Sequence, residues 1–338
     1  MMKPGRLFAL VALILSANSY LGATPAGAQT VIKLGTATIN DVQHEYLKRF
    51  AERMNKQLAG KVKVEVYPAE QLGNNARMLE GLALGTIEGV VGPPEFIVGV
   101  DPRFQIVGAP GLIKDIHHAV RLTQDAKFRE SLFGFGEAKG IKGLGVVVYG
   151  ANVWATRKPV RSFADFKGMK VRVLASQMHT VPLERIGVTG VPMAPSEAVQ
   201  ALSSGAIDGV RTGITIFTTF KYYDIVKDVT AVDGDGTILS MFYVGKKWFD
   251  GLPADVRKAA LDTSAKLEPE MNQWSVDEIG KAEAQWKQHA GQIHRITGPD
   301  QVEFQKRMRA AADEVADKNP RIKDAYQLMV ERAKATEK

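Results

Sequence analysis

The sequence predicts an α/β protein with two domains and a central cleft, followed by long C-terminal helices. Three observations favour this fold. Strand and helix patterns alternate over the first part of the chain, which is typical of a mainly parallel sheet with helices on both faces. A second alternating unit begins near residue 150. From Pro253 the hydrophobic periodicity is helical almost to the end of the chain.

Residues 1–28 have the pattern of an export signal. Lys3 and Arg6 precede an apolar run at 7–15, and small residues stand at Ala26 and Ala28. The run is shorter than the roughly 20 residues that a helix needs to span a bilayer. We therefore expect the chain to be exported and the signal to be cleaved after Ala28.

Composition narrows the possible functions. Hydrophobic residues make up 45% of the chain, enough for sizeable cores, and the absence of cysteine excludes disulfides and thiol chemistry. The formal net charge is +7, or +5 once Lys3 and Arg6 are removed, because residues 1–28 contain no acid. The basic residues are dispersed, which argues against a nucleic-acid partner. No phosphate-cradling loop or two-histidine zinc helix occurs, so we expect no cofactor and no metal.

In the first unit, residues 31–37 and 61–67 are predicted strands, and 41–58 and 75–84 are predicted helices. The alternation continues with a strand at 87–91 and a helix at 117–133. Ligands of such sheets bind outside the carboxyl ends of the strands. We therefore expect three residues of the loops after these strands to reach a ligand: Asn40, Gln71 and Glu95.

The second unit has a predicted strand at 169–174 and a predicted helix at 196–204, with Ser196 as its N-cap. We assign a further strand at 237–244 to the first domain, so that the chain crosses between domains twice. Two crossings form a hinge, and the cleft between the domains is the natural ligand site. The predicted boundaries are domain I at 29–149 plus 238–265, domain II at 150–237, and a C-terminal helical segment at 266–338.

The C-terminal segment is predicted to contain helices at 255–266, 271–289, 302–316 and 322–333. Pro269 lies inside this pattern. Because proline lacks the amide proton that a helix interior needs, we expect Pro269 to kink the first long helix or split it in two.

The strand at 169–174 carries the main candidate for ligand binding, Arg172. Its polar face holds Lys170 and Arg172. The planar guanidinium of arginine suits a carboxylate bound through two parallel hydrogen bonds. Spacing alone leaves a second interpretation open, in which Arg172 is a surface residue or the partner of an internal ion pair.

Residues 233–240 read Asp-Gly-Asp-Gly-Thr-Ile-Leu-Ser and suggest a rival function. They resemble the first motif of haloacid-dehalogenase-type phosphatases, in which the first aspartate, here Asp233, attacks phosphorus and the second, here Asp235, is the acid/base. That chemistry also needs a later lysine and an acidic pair that holds Mg²⁺. Lys246 follows, but the remaining helical residues offer no such pair, and a Gly-rich turn at a domain crossing is the simpler interpretation.

Three motifs occur in order in the second unit. Residues 168–172 read Gly-Met-Lys-Val-Arg, a turn at 187–197 contains a proline and ends at Glu197, and 202–209 reads Leu-Ser-Ser-Gly-Ala-Ile-Asp-Gly. This ordered set resembles the substrate-binding proteins of tripartite ATP-independent periplasmic (TRAP) transporters. Weaker similarity covers nearly the whole mature chain.

The resemblance implies a fold like that of type II periplasmic binding proteins, with a long helix, matching 253–290, that crosses both domains. It implies a periplasmic receptor, not an enzyme, that captures a small organic acid and delivers it to membrane permease subunits. It also implies that Arg172 clamps the carboxylate, and we expect a monomer. The receptor of an ATP-driven importer, with a similar cleft, is the alternative.

Several positions depart from better-known members of that family. Asn152 stands where a second cleft arginine is common, and Pro195 stands where an aromatic residue is usual. Arg211-Thr212-Gly213 replaces the usual Glu-Asn-Pro, so Thr212 takes the place of an amide. Arg211 is either a second anion contact or a surface charge.

These departures bear on the ligand. Asn152 suits a hydroxyl, keto or amide group rather than an anion. Phe217 and Trp154 are candidates for the wall around an apolar tail. We therefore expect a monocarboxylate in preference to a C4-dicarboxylate.

Overall fold

The computed structural model describes residues 29–338, so the predicted export signal and its cleavage site lie outside the described residues. The strands are β1 (Thr30–Gly35), β2 (Val62–Tyr67), β3 (Gly89–Gly92), β4 (Ile141–Ala151), β5 (Val153–Thr156), β6 (Lys170–Val173), β7 (Thr189–Pro192), β8 (Gly209–Thr212), β9 (Asp228–Val232), β10 (Thr237–Gly245) and β11 (Gln292–Ile296). The helices are α1 (Val42–Gln57), α2 (Asn75–Leu84), α3 (Ile116–Gln124), α4 (Ala126–Gly134), α5 (Gln177–Glu184), α6 (Pro195–Ser204), α7 (Ile214–Thr219), α8 (Lys246–Asp250), α9 (Ala254–Gln288), α10 (Gly298–Asp317) and α11 (Pro320–Ala335). None of these helices is both long and apolar enough to cross a membrane.

The first sheet has the strand order β2-β1-β3-β10-β4. β1 is parallel to β2 and β3, whereas β10 is antiparallel to both of its neighbours, so the sheet is mixed. One face packs on α1 and α9, and the other packs on α2, α3, α4 and α11. All nine residues of β10 are buried, which accounts for its nearly continuous apolar sequence.

The second sheet has the order β11-β9-β5-β8-β6-β7. One face carries Val210 and Val229 and packs on α6, α7 and the end of α9. The other face carries Val171 and Val173 and packs on α5 and α10.

The edge strand of the second sheet, β11, was predicted only as part of a helical region. The segment pairs in parallel with β9, and the amide of Gln292 extends the ladder by donating to the Lys227 carbonyl (2.7 Å).

Two short crossings join the sheets, one after β4 and one after β9, and the long helix α9 makes a third passage by leading from β10 to β11. The two crossings contact each other, because the amide of Asn152 donates to the carbonyl of Gly236 (3.0 Å). Two α/β domains with a cleft between them are therefore confirmed, together with the long C-terminal helices. The residue boundaries of the domains stay a prediction.

Helix α9 connects the two halves. Its 35 residues span about 52 Å at 1.5 Å per residue. Asn272 accepts a hydrogen bond from the amide of Val148 in the first sheet (2.8 Å), and Trp286 packs against Phe217 beside the second (ring centroids 5.9 Å apart). Pro269 does not split the helix, contrary to one expectation, because packing against both domains holds the turns on either side.

Two further elements differ from the sequence prediction. The helix expected at 117–133 is two helices, because Asp125 adopts an extended conformation and accepts a hydrogen bond from the amide of Phe128 as the cap of α4 (2.9 Å). Helix α6 begins at Pro195, one residue before the predicted cap Ser196. The Ser196 hydroxyl instead donates to Glu70 of the first domain (2.8 Å).

Candidate functional site

A cavity lies between the two sheets, just beyond the carboxyl ends of β1, β3, β6 and β8. This is where ligands bind in open α/β sheets. The cavity is narrow, with a free volume of about 20 Å³, roughly the space of one water molecule, so its walls must separate to admit a ligand. Both domains line it, through Ala37, Thr38, Gln43, Asn75, Pro93, Phe96, Tyr149, Arg172, Leu174, Pro195, Thr212, Ile216 and Ile238.

Arg172 is the charged group of this cavity. It lies on β6 beside Val210 of β8, and its side chain is 1% exposed. Its Nε donates to the carbonyl of Met193 (2.9 Å), but its Nη2 is buried without a hydrogen-bond partner among residues 29–338. Burial lowers the pKa of Arg172 to about 10, so the guanidinium stays charged at neutral pH. Burying a cation with a free N–H group is energetically costly unless an anion pairs with it.

A buried acid, Asp41, contacts two residues that line the cavity. Asp41 caps α1 by accepting hydrogen bonds from the amides of Gln43 and His44, both at 3.1 Å. Its other oxygen accepts the hydroxyl proton of Tyr149 (3.0 Å). Desolvation raises the pKa of Asp41, and the hydrogen bonds oppose that rise. The cavity is therefore lined by a cation with a free N–H group and adjoins a hydrogen-bonded acid.

The remaining walls are uncharged. Among the described residues that line the cavity, Arg172 is the only one that carries a charge. Neutral polar groups come from five lining residues, Thr38, Gln43, Asn75, Tyr149 and Thr212, and the other lining side chains apart from Arg172 are apolar. Carboxylate binding at one point, with apolar and uncharged polar contacts elsewhere, is the chemistry that this arrangement provides.

Arg211 does not line this cavity. Side chains alternate along a strand, so Arg211 points to the face of the second sheet opposite that of Thr212 and Arg172. There it is fully buried and pairs with Asp235, to which its Nε donates at 3.0 and 2.9 Å and its Nη2 at 2.9 Å. Its Nη1 lies 2.6 Å from Nδ1 of His179. Arg211 is thus neither the surface charge nor the cleft contact that the sequence left open, but an internal ion pair.

Glu95 and His179 extend this cluster across the domain boundary. Because Nδ1 of His179 accepts from Arg211, its Nε2 carries the proton and faces Oε1 of Glu95 at 3.3 Å. Burial raises the pKa of Glu95 to about 8. Burial and the charge of Arg211 hold the pKa of His179 well below its usual range. At neutral pH, therefore, the contact joins a neutral imidazole and a mostly protonated carboxyl.

Two other candidates lie outside this cavity. Trp154 belongs to the Arg211 cluster, since it pairs in register with Arg211 and its indole N–H donates to Asp235 (2.8 Å). The period of two in β5 places it away from Arg172. Asn152 lies in the crossing before β5 and is also buried, and neither atom of its side-chain amide has a hydrogen-bond partner among the described residues.

Three further candidates lie elsewhere. Phe217 on α7 packs into the core against Tyr222 and Trp286. Gln71 and Asn40 are exposed loop residues. Of the nine candidates, the structure brings only Arg172 and Thr212 together in the cavity.

Sequence reasoning missed most of the cavity wall. Thr38, Asn75 and Phe96 do lie in the loops that were expected to contain a site, so the position of those loops was the usable signal. Tyr149 and Ile238 belong to strands with no distinguishing motif. Only their position at the end of the first sheet reveals them.

The two acids of the rival phosphatase motif do not form a reactive pair. Asp233 is exposed, whereas both oxygens of Asp235 are bound by Arg211 and Trp154. Within residues 29–338 no group of three or more acidic, histidine or cysteine side chains could hold a metal ion. Asp235 therefore has the role of a structural counter-ion.

Comparison with known proteins gives a consistent result. Residues 35–319 match the family model described as bacterial extracellular solute-binding protein, family 7 (DctP). The C4-dicarboxylate-binding periplasmic protein DctP of Rhodobacter capsulatus is 30% identical over 278 residues, covering 80% of this chain and 81% of that protein.

Solved structures share the fold. A TRAP periplasmic solute-binding protein from Desulfovibrio salexigens with bound orotic acid has a TM-score of 0.86 at 23% identity, covering 91% of this chain and 100% of that one. Another from Shewanella oneidensis with bound succinate has a TM-score of 0.84 at 22% identity, with 90% and 100% coverage. At such identities the likeness shows the fold and leaves the ligand open.

Proposed function

Because the chain belongs to family 7 of the bacterial extracellular solute-binding proteins, a family of transport receptors and not of enzymes, we propose that Arg172 holds the carboxylate of a small organic acid in the cleft. Members of this family are periplasmic and work with TRAP membrane permease subunits. The acid bound here is delivered to such a permease after the domains close around it.

The observation that carries this proposal is the unpaired nitrogen of Arg172. Buried cations in proteins are normally paired, since an isolated charge in the interior is costly. Here no carboxylate of the described residues contacts the guanidinium, and its free Nη2 belongs to a residue that lines a cavity. A ligand carboxylate would supply the missing partner.

The position of the cavity supports a hinged receptor. Its walls come from both domains, and contacts such as Ser196 with Glu70 join the domains beside it. A ligand that touches both walls stabilises the closed form relative to the open one. The site is complete within one chain, which supports a receptor that acts as a monomer in the periplasm.

Calorimetric titration with a panel of organic acids tests the proposal. Arg172→Lys keeps the charge but loses the planar fork, so we expect binding to weaken by about 1.5–3 kcal/mol. Arg53→Lys is the matched control, because Arg53 forms an exposed ion pair with Glu270 far from the cavity. Equal affinity of the two variants would remove Arg172 from the binding site.

A further inference from the structure

We infer that the ligand of this site carries one carboxylate, held by Arg172, on a compact body that is apolar or bears few uncharged polar groups. The inference rests on the proposed function and names the class of acid. It runs against the simplest expectation from the Rhodobacter capsulatus relative, whose name specifies C4-dicarboxylates. Four properties of the cavity lead to it.

The first property is the number of available cations. Arg172 is the only charged residue among the described residues that line the cavity. A second carboxylate in this enclosed space would need its own positive partner to offset desolvation. Without one, binding a dicarboxylate would leave one anion buried and unpaired.

The second property is that Arg211 cannot supply the missing charge. It lies on the other face of β8, where three of its donor contacts go to the Asp235 carboxylate. The indole of Trp154 also donates to that carboxylate, at 2.8 Å. Turning Arg211 towards the cavity would break the pair and leave Asp235 buried with a charge. The cost of leaving a buried charge without its partner keeps Arg211 in place.

The third property is the buried acid behind Tyr149. Asp41 is fully buried, receives the hydroxyl proton of Tyr149, and contacts the wall residue Gln43 through its backbone amide. Tyr149 itself lines the cavity, so an anionic group at that wall would lie near a second negative charge. Like charges at close range in a low-dielectric interior repel strongly. An uncharged group there meets no such repulsion.

The fourth property is the scarcity of free polar groups. The Tyr149 hydroxyl proton is bound by Asp41, and the Gln43 carbonyl oxygen accepts from Thr36 (2.9 Å). This leaves mainly the Gln43 NH2 group, Thr38, Asn75 and Thr212 to satisfy ligand hydroxyls. A sugar acid with a hydroxyl on every carbon would bury several unpaired groups against apolar walls such as Phe96, Leu174, Ile216 and Ile238. A short aliphatic or 2-oxo acid fits the walls better.

Calorimetry with matched acids tests the inference. We compare butanoate with succinate, 4-methyl-2-oxopentanoate with 2-oxoglutarate, and both monocarboxylates with galacturonate. We expect either butanoate or 4-methyl-2-oxopentanoate to bind at least tenfold more tightly than succinate, 2-oxoglutarate and galacturonate. Preferred binding of succinate or 2-oxoglutarate, lost in Arg172→Lys, would overturn the inference and leave the proposed function standing. Binding of none of these acids would count against both.

A charge-neutral variant isolates the contribution of Asp41. Asp41→Asn keeps one oxygen that can cap α1, places an NH2 group where the Tyr149 hydroxyl can accept from it, and removes the negative charge. We expect the preference for butanoate over succinate to shrink by about tenfold, with the melting temperature used to confirm that the fold is retained. Asp277→Asn, on the exposed side of α9, is the matched control. An unchanged preference in Asp41→Asn would show that Asp41 does not select against a second carboxylate.

Discussion

Arg172 and Arg211 lie on neighbouring strands of one sheet, both are 1% exposed, and yet they have opposite surroundings. Arg211 is surrounded by Asp235, His179 and the ring of Trp154. Arg172 has one backbone carbonyl and no acid in contact. The difference shows how a fold can use the same side chain in two ways. A guanidinium neutralised by its own chain organises structure, whereas one left without an anion is available for an anion that arrives from outside.

The contrast also separates stability from binding. The Arg211 pair, once buried, is costly to break from one side, because the remaining charge has no partner. Arg172 already bears such a cost in the unliganded protein, and burial lowers its pKa accordingly. Substitutions at Arg211 or its partner should therefore change mainly the unfolding free energy. Substitutions at Arg172 should change mainly the affinity for the ligand.

The largest effect is expected from Asp235→Ala, which leaves Arg211 buried without an acid. We expect the unfolding free energy to fall by about 3–5 kcal/mol, measured by urea denaturation. The double variant Arg211→Met with Asp235→Leu removes both charges and should recover most of that loss. If the unfolding free energy of Asp235→Ala is within about 1 kcal/mol of that of the unmodified protein, the Arg211–Asp235 pair does not stabilise the fold.

The next largest effect is expected at Arg172. Arg172→Met removes a buried charge that has no partner, so we expect the unliganded protein to gain about 0.5–2 kcal/mol of stability. Binding of an organic acid should be lost in the same variant. Melting temperatures with and without ligand measure both effects. A clear loss of stability would mean that Arg172 is paired within the fold after all.

A pH effect is expected where the two domains meet at Glu95. Its pKa, about 8, lies above the ordinary value of 4.5, so the folded protein binds more protons than the unfolded chain between these pH values. Stability should therefore fall as the pH rises through this window, by at most about 1.4 kcal/mol per pH unit. His179, Arg211 and Tyr243 are the titratable or charged neighbours, and the positive charge of Arg211 opposes the rise.

Glu95→Gln isolates this contribution, because the amide resembles the protonated carboxyl. Urea denaturation of both proteins at pH 6 and pH 8 should show the variant gaining stability relative to the unmodified protein as the pH rises. A constant difference between the two proteins would show that Glu95 is ionised throughout.

The smallest effect is expected at Thr212, which lines the cavity with Arg172. Thr212→Val keeps the shape but removes one hydroxyl, so affinity should fall by about 0.5–1.5 kcal/mol if the ligand has a polar group there. Thr189→Val, at an exposed strand position, is the control. Tighter binding of a purely apolar acid by Thr212→Val would instead extend the apolar wall to this position.

The sequence was sufficient to predict the fold and to single out Arg172, which lines the cavity, but not the rest of the cavity wall. The alternating patterns and the ordered motifs led to two α/β domains and to Arg172. Strand periodicity also contains the information that Arg211 and Thr212 face opposite ways, so the two could not share one cavity. By contrast, Tyr149 and Ile238 reach the cavity only because β4 and β10 pair across about 90 residues, and no local pattern reports that pairing.

The position of β10 has a consequence for the order in which the protein is made. Residues 237–245 form the strand between β3 and β4, and β10 is the strand that pairs with β4 in the first sheet. Until the ribosome has added these residues, β4 has no neighbour in that sheet and β3 has an open edge. The first domain therefore cannot be completed before nearly all strands of the second have been synthesised. Because pairings over such a sequence separation form slowly, the first sheet stays open longer than a sheet built from neighbouring strands would.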